Sequence, residues 1–288
     1  MNTNMVRLTI NGKARRRHAA GLVSLLLLLC LLVFLLFPFY WTFLTSVKPE
    51  TELFSSTVTY WTQNASFESY TLLFRHFDFI NPIGNSALVA GITTVVSLAV
   101  SVMAAYAFSR FRFKGRKAMM IMFLSNNMFP TVLLLSPLYS IMRRLGVLYT
   151  PWALVLAYTT FTIPFSVWLL NGYFNGLPIS LEEAAMIDGA NRPRAFFDVV
   201  FPILSQGLIA TGVYIFMTAW NEYTYAVMFT NKATRTVPVV LKSLVGSFGV
   251  NWNLLCAGGV VTIIPVCIMF FFAQNRLVEG LTAGAVKG

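Results

Sequence analysis

Residues 180–202, SLEEAAMIDGANRPRAFFDVVFP, are polar and small, and they lie between two long apolar segments. Their types suit a mechanical grip by another protein better than bond-making. Ser180 and Glu183 have the capping-box spacing, so the hydroxyl and the carboxylate can satisfy orphan N–H groups where a short helix starts. Ala184, Ala185 and Gly189 let a partner approach the backbone closely, and Glu182, Glu183 and Asp188 supply charge beside them. Asn191 and Pro193 are expected to end the helix, because Asn tolerates a left-handed cap and Pro favours the first turn of a new helix. Asp188 and Arg192, four apart, are expected to pair across the bend.

Other chemistry is sparse. No G-x-x-x-x-G-K-[ST] phosphate loop occurs, so the chain is not expected to hydrolyse nucleotide. His18 and His76 have no Cys, His or carboxylate neighbour at ligand spacing, and no metal site is expected. Cys30, Cys256 and Cys267 give no disulfide framework and read as small apolar fillers. Glu222, in AWNEY, is the one charged residue inside a candidate span. It reads as a group bonded to a neighbouring subunit or loop, with a gating role as the alternative, since buried charges need partners. Proton- and ion-driven carriers keep acids or bases at mid-membrane, so energy is expected to come from outside the chain.

The elements that position these residues are membrane helices. The 288 residues are 57% hydrophobic and 11% charged, with mean hydropathy +0.70. An average soluble domain carries roughly 25% charged residues, so this is an all-α integral membrane protein. Spans of about 20 apolar residues are required. Six candidates run over 19–43, 83–108, 118–142, 151–173, 203–229 and 254–274. Arg15, Arg16 and Arg17 precede the first, but its run is too long for a signal peptide and no cleavage site follows, so a retained helix is expected. Of the 21 Lys and Arg, fourteen lie in 1–18, 110–117, 192–194 and the tail 275–288, and seven in the other loops. The positive-inside rule then puts both termini and the loop 178–202 in the cytoplasm. The net charge of +11 is thus a matter of topology, and nucleic acid is not an expected partner. The external loop 46–82 contains SFESYTLLFRHF, whose aromatic spacing of three to four predicts a short amphipathic helix on the membrane surface. No internal repeat is visible, and the chain reads as one domain.

The third span is interrupted by Asn126, Asn127, Pro130, Ser136 and Pro137. Irregular backbone at membrane depth is tolerated only when buried in protein or lining an aqueous cavity. Asn126 and Asn127 are therefore candidate path-lining residues, with Tyr158, Thr159 and Thr162 of the fourth span as companions. Ser97, Ser101, Ala105 and Ser109 form a four-residue stripe that predicts close helix packing.

Glu183, Ala184 and Ala185, then Gly189, then Val199, Phe201 and Pro202, resemble the cytoplasmic EAA loop of permease subunits in bacterial binding-protein-dependent ABC importers. Valine stands where the loop commonly has isoleucine, and phenylalanine where it commonly has leucine. AWNEY and the tail GLTAGAVKG are similar to the carbohydrate-importing, MalG-like subgroup. The resemblance implies a bacterial inner-membrane subunit paired with a second permease, an ATPase dimer that binds ATP and Mg, and an extracellular sugar-binding protein. It implies no cofactor in this chain. It makes 178–202 a coupling helix docked into an ATPase, with Glu182, Glu183, Ala184, Ala185, Asp188 and Gly189 as its contacts. A gradient-driven secondary transporter or channel for small polar solutes is the alternative.

Overall fold

The computed structural model describes the backbone of residues 3–246 and 249–285, and the side chains of residues 21–246 and 250–274. His18, the neighbouring arginines and the GLTAGAVKG tail lie outside the described side chains. The helices in chain order are α1 (Thr3–Val47), α2 (Glu50–Leu53), α3 (Glu68–His76), α4 (Ile80–Arg110), α5 (Arg116–Asn126), α6 (Thr131–Arg144) and α7 (Pro151–Gly176). Then come α8 (Ser180–Ile187), α9 (Arg192–Ala195), a π-helical turn (Phe196–Val200), α10 (Phe201–Ile203), α11 (Ser205–Trp220), α12 (Ala226–Phe229) and α13 (Val237–Ser243). A two-stranded antiparallel ribbon, β1 (Val245–Gly246) with β2 (Gly249–Val250), precedes α14 (Trp252–Ala285).

Among the described residues four helical stretches are long and apolar enough to cross a membrane: Gly21–Val47, Ile80–Arg110, Pro151–Gly176 and Trp252–Gln274. Two bent pairs raise this to six if each is one span: Arg116–Asn126 with Thr131–Arg144, turned by 97°, and Arg192–Ile203 with Ser205–Trp220, turned by 73°. The first bend falls where the sequence predicts interruption, at Asn126, Asn127 and Pro130. Pro130 holds an extended ψ of 119° and caps α6, since proline has no N–H to continue the ladder. The fifth candidate, expected over 203–229, stops as a helix at Trp220. Asn221 returns its side-chain amide to the Met217 carbonyl at 2.8 Å, closing the helix there.

The chain packs as two units, Met1–Tyr70 with Trp252–Val260 and Thr71–Asn251 with Val261–Gly288. In the first, Phe37 stacks on Trp41 and Trp41 meets Tyr60 edge-on. Lys48 is buried, donates to the Thr59 carbonyl and lies 5.2 Å from the Trp41 ring centre. Asn253 donates to the Thr45 carbonyl at 3.2 Å. Tyr70, in the expected loop helix α3, bonds the Ser46 hydroxyl at 2.7 Å.

In the second unit α4 and α7 pack along the small-residue stripe. Ser97, Ser101 and Ala105 are fully buried. Ser97 Oγ lies 2.8 Å from Thr162 Oγ1, Ser101 donates to the Ile163 carbonyl at 3.4 Å, and Ser109 donates to Asn175 Oδ1 at 2.9 Å. Small side chains let the helices approach, and the hydroxyls hydrogen-bond across the seam. Two apolar cores flank it. One gathers Leu154, Tyr158, Trp220, Tyr225 and Phe229, the other Phe108, Leu170, Phe174, Val200 and Leu204. Gly207 of α11 lies against the Tyr173 ring of α7, where an added Cβ would come within 2.6 Å of Cγ. Gly207→Ala is therefore expected to lower stability by about 1–3 kcal/mol through overpacking. A drop in the thermal midpoint of the detergent-purified protein checks this.

Candidate functional site

The polar loop begins where α7 ends. Leu177 is extended, Pro178 follows, and Ile179 is already helical at φ −62°, ψ −31°. The Ile179 carbonyl accepts from the Glu182 and Glu183 amides at 3.0 and 3.2 Å, and that of Pro178 from Leu181. The capping box expected of Ser180 and Glu183 is thus not formed. Proline pre-sets the first turn, so Ser180 falls inside the helix and no side chain caps it. Glu182 and Glu183 still sit in the first turn, where the helix dipole favours acids.

The far end of α8 is set by Gly189, not by a left-handed Asn191. Gly189 has φ +90°, its amide reaches the Met186 carbonyl at 3.1 Å, and the Ala190 amide reaches that of Ala185 at 3.0 Å. These two bonds are the Schellman closure, which needs a left-handed residue after the C-cap. Nothing in the chain lies within 4 Å of a Cβ added there, so the requirement is conformational. Asn191 instead caps α9, accepting from the Arg194 amide at 3.0 Å, with Pro193 in the first turn. The expected Asp188–Arg192 pair is absent. The cap turns Arg192 away, and its guanidinium lies 5.5 Å from the Phe111 ring centre. Arg194 pairs with Asp198 at 3.2 Å, fully in solvent, where such pairs contribute about 0–1 kcal/mol.

Helical periodicity sorts the six loop residues by direction. Glu183, Ala184, Asp188 and Gly189 are exposed and Ala185 is half-buried. Ile187, 86% exposed, joins them on the outward face, an apolar position that its spacing does not single out. Glu182 points the other way. It is the buried residue of α8, with Oε1 accepting from Arg110 Nε at 2.5 Å and Oε2 from the Tyr106 hydroxyl at 2.8 Å. Its side chain is therefore not part of the exposed face of the loop.

A second site opens at the α5–α6 bend. Asn126, Asn127, Phe129, Thr131, Leu134, Thr160, Phe161, Tyr214, Thr218, Glu222 and Tyr225 line a cleft of about 280 Å³. Asn126 donates to the Thr160 carbonyl at 2.8 Å, which fixes the bend against α7. Phe161 and Tyr225 stack with planes 10° apart. The lining is amide, hydroxyl, aromatic and, at Leu134, aliphatic, with one carboxylate, a set of donors, acceptors and apolar faces that a polyhydroxylated ligand could use. Three of the expected path residues are not in its wall. Tyr158 and Thr162 are fully buried; Thr162 is bonded to Ser97 of α4, and the Tyr158 hydroxyl lies near the Glu222 carboxylate. Thr159 bonds back to the Leu156 carbonyl and is not among the lining residues. Thr160 and Phe161 occupy the wall instead, since each residue turns the direction by 100° along a helix. Tyr214, Thr218 and Tyr225 gave no sequence signal beyond their closeness to AWNEY.

Glu222 is the acid of this cleft. Its carboxylate accepts from the Tyr225 amide at 2.9 and 3.2 Å and from that of Ala226 at 3.2 Å, capping α12. Glu222→Ala leaves those amides unpaired and is expected to cost about 1–3 kcal/mol. Glu222→Gln keeps one acceptor oxygen and retains most of the stability, so the two thermal midpoints compare the cases directly. Among the described residues no group of three His, Cys, Asp or Glu could hold a metal ion.

Residues 97–282 match the family described as "Binding-protein-dependent transport system inner membrane component". The chain is 38% identical over 260 residues to the inner membrane ABC transporter permease protein YcjP of Escherichia coli (strain K12), covering 89% of this chain and 93% of that protein. It is 37% identical over 258 residues to the trehalose/maltose transport system permease protein MalG of Thermococcus litoralis, covering 88% and 92%. Its fold is similar to a chain of a bacterial ABC transporter involved in import of the acidic polysaccharide alginate, with TM-score 0.75, 24% identity, and coverage of 91% of this chain and 97% of that one.

Proposed function

Because the chain belongs to the family of binding-protein-dependent transport inner membrane components, we propose that it is the permease subunit through which an ATP-driven importer passes a sugar or oligosaccharide across the bacterial cytoplasmic membrane. It acts as one transmembrane domain of six spans, each bent pair counting as one, with both termini and the loop 178–202 in the cytoplasm. A second permease completes the path, an ATPase dimer below binds ATP and Mg, and a sugar-binding protein delivers the ligand outside. The sugar-permease names among its relatives support this assignment.

One observation carries the proposal: α8 is stopped by a fixed Schellman turn and presents Glu183, Ala184, Ile187 and Asp188 outward. A short helix closed by a defined turn transmits a push, and its small exposed alanine allows tight docking. In a background lacking the native cysteines, Ala184→Cys and Ile187→Cys are expected to crosslink to the ATPase from the cytoplasmic side. Uptake should stop when ATP is depleted with the ion gradient preserved. Uptake that persists under those conditions, or labelling of these cysteines from outside the cell, overturns the assignment in favour of a gradient-driven carrier.

The cleft at Asn126 and Asn127 forms part of the path. Its amides and hydroxyls exchange hydrogen bonds with sugar hydroxyls, and Phe161, Tyr214 and Tyr225 offer aromatic faces. Asn127→Leu is expected to raise the KM of uptake about tenfold, the equivalent of losing one ligand hydrogen bond of about 1.4 kcal/mol. Initial uptake rates over a sugar concentration series check this, with an unchanged KM counting against the cleft.

A further inference from the structure

Among the described residues, one buried ionic hub ties the loop 178–202 to the membrane helices. Arg110 is the last residue of α4, and its guanidinium reaches three elements at once. Nε donates to Glu182 of α8 at 2.5 Å, Nη1 to the Phe174 carbonyl of α7 at 3.2 Å, and Nη2 to the Leu177 carbonyl just beyond it at 3.3 Å. Tyr106, one turn earlier on α4, donates to the other Glu182 oxygen at 2.8 Å. The Arg110 and Glu182 side chains are only 6% and 8% exposed. The return limb of the loop meets the same place, where the Phe196 ring lies 5.0 Å from Tyr106 and 6.4 Å from Phe174.

This is an unusual way to anchor a helix. The buried residue of α8 is a carboxylate rather than an apolar side chain. A buried ion pair contributes less stability than well-packed hydrophobic residues of the same volume, because desolvation offsets the attraction. What the pair adds is direction. The planar guanidinium fork fixes the relative position of three groups, where an apolar contact would allow sliding.

We infer that Arg110, Tyr106 and Glu182 are positioning residues of the transport cycle, clamping α8 to the ends of α4 and α7 so that force applied at the outward face of the loop moves both helices together. The inference rests on the docking role proposed above. Glu182 and Glu183, adjacent in sequence, divide the work: Glu183 faces the partner and Glu182 the subunit's own helices.

The test uses the full complex with its ATPase and binding protein, reconstituted in liposomes, and reads sugar transported per ATP hydrolysed. E182Q keeps the shape and an acceptor for Tyr106 but removes the charge, and the ratio is expected to fall about tenfold, within the usual span of inter-site coupling. Arg110→Lys keeps the charge without the fork and should give a smaller fall. The exchange Arg110→Glu with Glu182→Arg should recover part of the loss from either single reversal. An unchanged ratio in E182Q and Arg110→Lys, with transport and hydrolysis falling only in proportion to assembled complex, would show the hub to be merely structural and overturn the inference. Crosslinking from Ala184→Cys is measured in the same preparations. If it fails even with Arg110 and Glu182 intact, the docking proposal itself falls, and this inference with it.

Discussion

Gly189→Val is expected to abolish most sugar uptake while leaving the protein in the membrane. The residue sits at φ +90°, and the two bonds that close α8 depend on that conformation. A left-handed backbone costs an L-residue roughly 1–2 kcal/mol, and a β-branched one more, so the closed turn becomes at least about tenfold less populated. The outward face of the loop then loses its fixed orientation. Gly189→Asn is the control, because Asn enters the left-handed region readily and should retain most transport. Uptake rates normalised to the amount of membrane-inserted protein separate the two substitutions. Equal uptake for both would show that the glycine conformation is irrelevant to coupling.

Arg110→Met is expected to have the largest effect on stability, about 3–5 kcal/mol, because it leaves the Glu182 carboxylate buried without its counter-charge. The Phe174 and Leu177 carbonyls lose their donor at the same time. Set against a total of roughly 5–15 kcal/mol for a typical fold, that is enough to deplete the protein from membranes. Adding Glu182→Leu removes the stranded charge, and the double variant should regain most of its thermal midpoint. Its sugar transported per ATP should stay low, since an apolar contact restores burial without restoring direction. A double variant that recovers the midpoint and the ratio together would assign the pair to stability alone.

Much of the architecture is legible in the chain, because lipid solubility and helical pitch are local properties. The apolar runs mark the spans, Asn126, Asn127 and Pro130 mark a break that becomes a 97° bend, and the stripe from Ser97 to Ser109 marks the helix seam. The loop helix is visible too, but its ends are not. Ser180 and Glu183 have capping-box spacing, yet Pro178 starts the turn earlier, and the left-handed position expected of Asn191 is taken two residues before it by Gly189. The direction of Glu182 could not be read from spacing, because its partner Arg110 is 72 residues away in sequence and meets it only through the packing of α4 on α7. The far wall of the cleft is set at long range in the same way. Thr162 is as polar as Thr160, and only the position of α4 decides which of the two is walled in.

The hydroxyl seam between α4 and α7 has a consequence for how such a subunit changes shape. Three side-chain contacts, at Ser97, Ser101 and Ser109, stitch the helices along their length, and Arg110 rivets their ends. Parting them would strand buried hydroxyls and carbonyls together, so the pair serves as a chassis. If the proposed subunit opens alternately to the two sides, the change falls to the joints that are already bent, near Asn127 and Leu204. Those two elbows, one beside the cleft and one beside the return limb of the loop, are the places where this chassis leaves room to flex.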